Sequence, residues 1–129
     1  MKNYKQPIFN DAMRVAANYS SSLIELIYDP IFIINKLNLI VNVNQATINK
    51  TELARNKLIG TAITQYFTEP KKIKKACLEI FKNGFITDLP FVLMDGQLSY
   101  VLISGSVYED DNNEYNNAVI VASEITKNK

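Results

Sequence analysis

Cys77 is the one thiol in this sequence, and there is no histidine to activate it. The missing imidazole excludes Ser-His-Asp and Cys-His catalytic pairs, histidine-ligated haem and nearly every zinc site. A lone cysteine also excludes an internal disulfide and fits a reducing compartment. Cys77 sits between Ile73 and Phe81 at helical spacing, which reads as a small buried hydrophobe rather than a nucleophile or haem ligand. Glu109, Asp110, Asp111 and Glu114 could attract a cation. They lack the spacing and central glycine of a calcium loop, so they read as a solvated hairpin tip. Lys71, Lys72, Lys74, Lys75 and Lys82 crowd one segment with no aromatic interleaved. Single-strand nucleic-acid binding needs such stacking groups, so the row reads as a solvated face. No carboxylate pair, glycine-rich phosphate loop or activated nucleophile stands out, and the chain itself is expected not to be an enzyme.

These residues must be held by a single domain, because 129 residues leave little room for two. A composition of 47% hydrophobic and 21% charged residues is that of a folded globular chain. A net charge of +1 gives no whole-domain case for nucleic acid or an anionic membrane surface. No segment nears the roughly 18 consecutive apolar residues of a membrane span. The first residues, MKNYKQPIFND, lack the apolar centre of a secretory signal. A cytoplasmic chain is expected, with any membrane anchor of a parent protein outside it.

Asn10 or Asp11 can cap a first helix, whose stripe is Ala12, Ala16, Tyr19, Leu23 and Ile27. Ser20-Ser21-Ser22 weakens it and Asp29-Pro30 ends it. Ile31–Asn35 and residues 39–43 are short, apolar and β-branched, which predicts a hairpin. Lys36-Leu37-Asn38 supplies its turn, with Asn38 tolerant of positive φ. Asn44 stands where a helix can start, and a polar, less regular stretch runs on to Gly60. The clearest helix starts at Thr68 or Glu69, has Pro70 in its first turn and closes at Gly84. Its apolar face is Ile73, Ala76, Cys77, Ile80 and Phe81. Strands over 85–94, 98–108 and 117–125 finish the chain. Asp95-Gly96 predicts a hairpin turn, and Pro90 an edge strand or a bulge. This order predicts an α+β fold, a five-stranded antiparallel sheet with helices on one face. Residues 1–21 form a lead-in and helix, suited to capping or dimerisation, and 22–129 the domain proper.

Several stretches then become recognisable together. Ser22-Leu23-Ile24-Glu25 precedes Asp29-Pro30-Ile31; Val43-Asn44-Gln45-Ala46 ends the second strand; Leu58-Ile59-Gly60-Thr61 and Tyr66-Phe67 precede the long helix. Glu124-Ile125-Thr126-Lys127 ends the last strand, and residues 101–108 fit the strand before it. In this order and spacing they resemble the PAS domain family, a sensory module common in bacterial signalling proteins. Leu37-Asn38 departs from the usual Asp-Gly turn, Glu124 replaces an Asp, and the loop at Asp95-Gly96 is shorter than in many relatives.

The resemblance implies a ligand pocket between the sheet and the long helix. Alternation points Val101, Ile103, Gly105 and Val107 toward that helix. Gly105 leaves space there, and Phe67, Ile73, Cys77 and Phe81 wall the other side. This set offers almost no polar group to select a ligand, so it equally reads as plain core. Light-oxygen-voltage relatives need a reactive cysteine before the long helix, where this chain has Thr61-Ala62-Ile63-Thr64-Gln65. Haem-binding relatives use histidine. Neither flavin nor haem is therefore predicted, and an unidentified small ligand stays open. The resemblance places the signal output junction at Glu124, Ile125 and Thr126. It also implies a downstream output domain, such as a histidine kinase or diguanylate cyclase, because relatives continue as a helical linker where this sequence stops at Lys127-Asn128-Lys129. A homodimer is expected, since Tyr100, Leu102 and Tyr108 on the outer sheet face form an apolar patch for the first helix or a second copy to cover. The competing expectation is a ligand-free dimerisation or protein-interaction module, for example of a transcriptional regulator.

Overall fold

A computed structural model describes residues 24–25, 27–94, 98–108, 112 and 114–125. Residues 10–23 of the expected first helix, whose stripe was to run on to Ile27, lie outside them, as do the turn at Asp95-Gly96 and the acidic residues Glu109, Asp110 and Asp111. The first strand, β1, is Ile31–Asn35, and β2 is Ile40–Val43. Between them Asn35 accepts from the backbone N–H of Leu37 and Leu39 through its side-chain oxygen, at 2.9 and 3.1 Å. Asn38 takes φ 65°, so two asparagines make the turn without glycine. The polar stretch that follows holds short elements that helical periodicity cannot register: α1 (Gln45–Thr51), α2 (Arg55–Leu58) and a 3-10 turn (Ile63–Tyr66).

The long helix, α3, is Pro70–Asn83, with proline in its first turn and Gly84 closing it at φ 100°. Strands β3 (Phe85–Met94), β4 (Leu98–Tyr108) and β5 (Asn117–Glu124) complete one antiparallel sheet in the order β2-β1-β5-β4-β3. The fold is α+β, as the element order predicts.

Alternation along the strands sorts the sheet into two faces. Phe32, Ile34, Ile103, Val107, Ala118 and Ile120 bury themselves in one cluster with Ile73, Cys77 and Ile80 of α3. Phe67 stands between Phe32 and Phe91, with ring centroids at 6.3 and 5.9 Å. On the other face Ile31, Ile33, Tyr108, Val119 and Val121 form a second buried cluster with Ile24, and Ile27 packs against it. Tyr108 thus lies on the outer sheet face as expected, and it is 9% exposed there, because it packs with Ile24 and the β5 valines of that cluster.

Strand β3 changes phase midway. Ile86 pairs with Gly105, but Leu89 pairs with Ile103, so β3 carries one extra residue. Asp88 absorbs it at φ 53°, and its N–H donates to Ser104 Oγ at 3.0 Å. The shift lets Phe91 and Leu93 turn inward with Ile86 despite their odd spacing. Pro90 lies just beyond this bulge on the edge strand, where a missing N–H breaks no ladder bond.

Asn44 joins β1 and α1 to the segment that leads into β1. It is fully buried. Its Oδ1 accepts from Ile31 N at 2.9 Å, Thr47 N at 3.1 Å and Thr47 Oγ1 at 2.9 Å. Its Nδ2 lies 3.0–3.1 Å from the carbonyls of Ile24, Ile27 and Asp29. One side chain thus caps α1, anchors β1 and holds the entry segment. Asn44→Ala would leave several buried backbone groups without partners, each costing about 1–3 kcal/mol. We expect urea unfolding to show a loss of about 3 kcal/mol or more; a change within error of zero would refute this account.

Candidate functional site

The residues expected to line an interior pocket come together, but they do so as packed core. Phe67, Ile73, Cys77 and Ile103 are fully buried and Val101 nearly so, all in one cluster. Phe81 is half-buried at its rim. The space expected at Gly105 is filled. A Cβ there would stand 2.6 Å from Ile80 Cδ1, 3.2 Å from the Val119 carbonyl oxygen and 3.3 Å from Ile120 Cγ1. Ile80, itself fully buried, seats its terminal methyl where β4 lacks a side chain. Burial also pushes the Cys77 thiol up from 9.0 to about 12, so at neutral pH almost none of it is the reactive thiolate.

Polar chemistry gathers instead where the chain enters and leaves the domain. Glu124 ends β5 and pairs with Lys50 of α1 at 3.1 Å. The next residue, Ile125, donates its N–H to the Tyr100 carbonyl at 2.9 Å. Thr126, the third expected junction residue, lies outside the described residues. On the entry side Glu25 receives Arg55 Nη2 at 2.6 Å and the Gln45 backbone N–H. Arg55 also donates to Asn42 Oδ1 at 3.1 Å and to the Val43 carbonyl. Asp29 accepts from Ser123 Oγ at 3.1 Å, which ties the entry segment directly to the exit strand. A cleft of about 450 Å³ lies at this meeting point, lined by residues 25, 27–30, 45–46, 49–50 and Glu124. Neither the cleft nor these pairings follow from local sequence pattern; the opposed charges of Glu25 and Arg55 were the available signal.

The lysine row is exposed, as a solvated face should be. Lys72 lies 5.2 Å above the Phe91 ring and 3.8 Å from Glu69. Glu114, the described member of the acidic loop, accepts from Asn116 Nδ2 at 3.0 Å. Among the described residues no three potential metal ligands group together.

The sequence pattern of the PAS domain family matches residues 29–127. Solved structures agree in fold. A PAS domain from Colwellia psychrerythraea shares 14% identity, with a TM-score of 0.70 over 84% of this chain and 95% of that one. The PAS domain of an HTR-like protein from Haloarcula marismortui gives 13% identity and a TM-score of 0.66, covering 92% and 100% of the two chains. A light-oxygen-voltage domain studied with a flavin analogue gives 16% identity and 0.61, covering 77% and 78%. Among curated proteins none matches this sequence.

The seat of Ile80 on Gly105 makes a paired prediction. Gly105→Ala should destabilise the domain by about 1–3 kcal/mol, because the buried Ile80 has little room to retreat. Ile80→Val removes the Cδ1 methyl, so the double variant should be less destabilised than the sum of the single ones. Chemical denaturation of the four proteins measures the coupling; strict additivity would show that the contact is not what Gly105 accommodates.

Proposed function

The chain belongs to the PAS domain family, a family of sensory and signalling modules, and we propose that it is the sensory or regulatory unit of a bacterial signal-transduction protein. In this reading it passes its signal to an output domain in the same polypeptide, a histidine kinase or a diguanylate cyclase. Catalysis belongs to that output domain and not to this chain. Such a unit works in the cytoplasm; among the described residues no helix is long and apolar enough to cross a membrane. The observation that carries the reading is the tie between Glu124 and Lys50. It fastens the last residue of β5 to α1, whose first turn is fastened to the entry segment through Asn44 and Glu25. A change on the helical side is thereby felt at the point where the chain leaves.

The experiment starts with the native gene. A reading frame that runs past Lys129 into an output domain supports the relay, and a stop codon directly after Lys129 overturns it. In the continuing protein, Glu124→Ala should leave thermal stability nearly unchanged, since an exposed ion pair contributes about 0–1 kcal/mol. It should nevertheless blunt the stimulus response, and the swap of Lys50→Glu with Glu124→Lys should restore it. Full response in Glu124→Ala removes the pair from the relay.

The filled interior favours a second reading, a ligand-free dimerisation module, and the two share one expectation. Both sheet edges are closed to a second copy. Ile40 of β2 exchanges backbone bonds with Gly60 and Thr61 at 2.7 and 2.8 Å, and β3 carries Pro90 and gives its Val92 carbonyl to Thr68 at 3.1 Å. What stays open is the outer face where Met94 pairs with Leu98 and Val92 with Tyr100. There Leu98 and Tyr100 are 61% and 55% exposed. Two copies should meet across this face as a symmetric dimer. Light scattering should give a dimer for the chain and a folded monomer for Leu98→Glu/Tyr100→Glu; a monomer in both would end the proposal.

A further inference from the structure

We propose that the cleft between the entry segment and α1 binds a small organic ammonium compound, and that its occupant competes with Lys50 for Glu124. None of its lining residues belongs to the interior set around Ile80 and Gly105. Its volume, about 450 Å³, falls within the roughly 300–1,000 Å³ of small-molecule sites. Ile27, Pro30 and Ala46 supply an apolar wall. Tyr28 stands at the rim 98% exposed, an aromatic side chain left almost wholly in water beside a cavity.

The charges select the ligand's sign. Among the described residues, Glu25, Asp29 and Glu124 line the cleft against one cation, Lys50. Glu25 is already satisfied, with Oε2 on Arg55 and Oε1 on the Gln45 N–H. Gln45 and Asn49 hold each other at 3.0 Å. Asp29 uses only Oδ2, toward Ser123, and Glu124 only Oε1, toward Lys50. Two carboxylate oxygens therefore stay open toward a donor, one on the entry segment and one on the exit strand. A primary ammonium has three N–H donors and makes charge-assisted bonds to both. Its apolar body would lie along Ile27, Pro30 and Ala46, with the Tyr28 ring face adding a cation–π contact. An anion would meet the excess of carboxylates, and a neutral isostere would forgo the charged bonds.

Occupancy has a defined consequence. An ammonium on Glu124 weakens the claim of Lys50, so the occupied state differs from the empty one in how firmly the exit strand is held to α1. A ligand shifts a conformational equilibrium by that difference in affinity and no more. This consequence rests on the relay reading above; the binding itself does not.

The test uses the 129-residue chain, with phenethylammonium as probe and the neutral 2-phenylethanol as its control. Amide NMR should show saturable shifts at Ile27, Tyr28, Asp29, Ala46 and Asn49. The alcohol should bind at least about tenfold more weakly, as expected when charge-assisted bonds are lost. Asp29→Asn keeps an oxygen for Ser123 but removes the charge; it should weaken the ammonium about tenfold while its unfolding midpoint stays put. Tyr28→Ala should weaken it by a smaller factor. The inference falls if the probe gives no saturable shifts, if the alcohol binds equally well, if Asp29→Asn binds as tightly as the parent, or if the shifts centre on Cys77 and Ile103. Any of these leaves the relay standing. Binding that behaves as described, with an output blind to Glu124→Ala, overturns the relay and leaves the site.

Discussion

Six polar contacts to the side chain of Asn44 hold this domain in one arrangement. A primary amide has two N–H donors and an oxygen with two lone pairs, and here both ends are fully used in a site closed to water. An apolar residue could fill the same volume, but it would strand the carbonyls that the chain must bury as it turns from the outer sheet face into β1. The amide is therefore less a stabilising addition than the condition on which the chain can pass from one face of the sheet to the other.

The opposite side of the core obeys a steric condition. The long helix packs on β3 and β4 closely enough that Ile80 reaches the strand at the one inward β4 position without a side chain. The β3 bulge at Asp88 belongs to the same fit, since without its extra residue Phe91 and Leu93 would point to solvent. Close-packed interiors respond to a single methyl, so a glycine in a central strand here sets the distance between two layers.

Much of this was legible in the sequence, and the boundary of what was legible is physical. Strand and long-helix limits follow from alternation, from Pro70 and from Gly84, all of which act within a few residues. The four-residue α2 and the 3-10 turn span about one turn each, too short for a repeat to register. Gly105 announces a missing side chain but not which neighbour takes its place; that neighbour, Ile80, belongs to another element. The pairs Glu25–Arg55 and Lys50–Glu124 join residues 30 and 74 positions apart, and such distances are set by topology alone. Asn44 was visible as a helix start, whereas the carbonyls that its Nδ2 serves lie 15 to 20 residues upstream.

The shortness of α1 has a mechanical meaning. Seven residues are too few to stand as a helix in water. Glu52, at φ 60°, stops it after two turns, and Thr51 spends its hydroxyl on the Thr47 carbonyl inside the same segment at 2.8 Å. Its order is borrowed from the residues that grip it: Asn44 and Glu25 at its head, Glu124 near its tail. A segment of that kind does not bend by degrees. It holds its shape while gripped and loses it as a unit, so the beginning and the end of the domain share a single hinge pin, and drawing that pin frees both together.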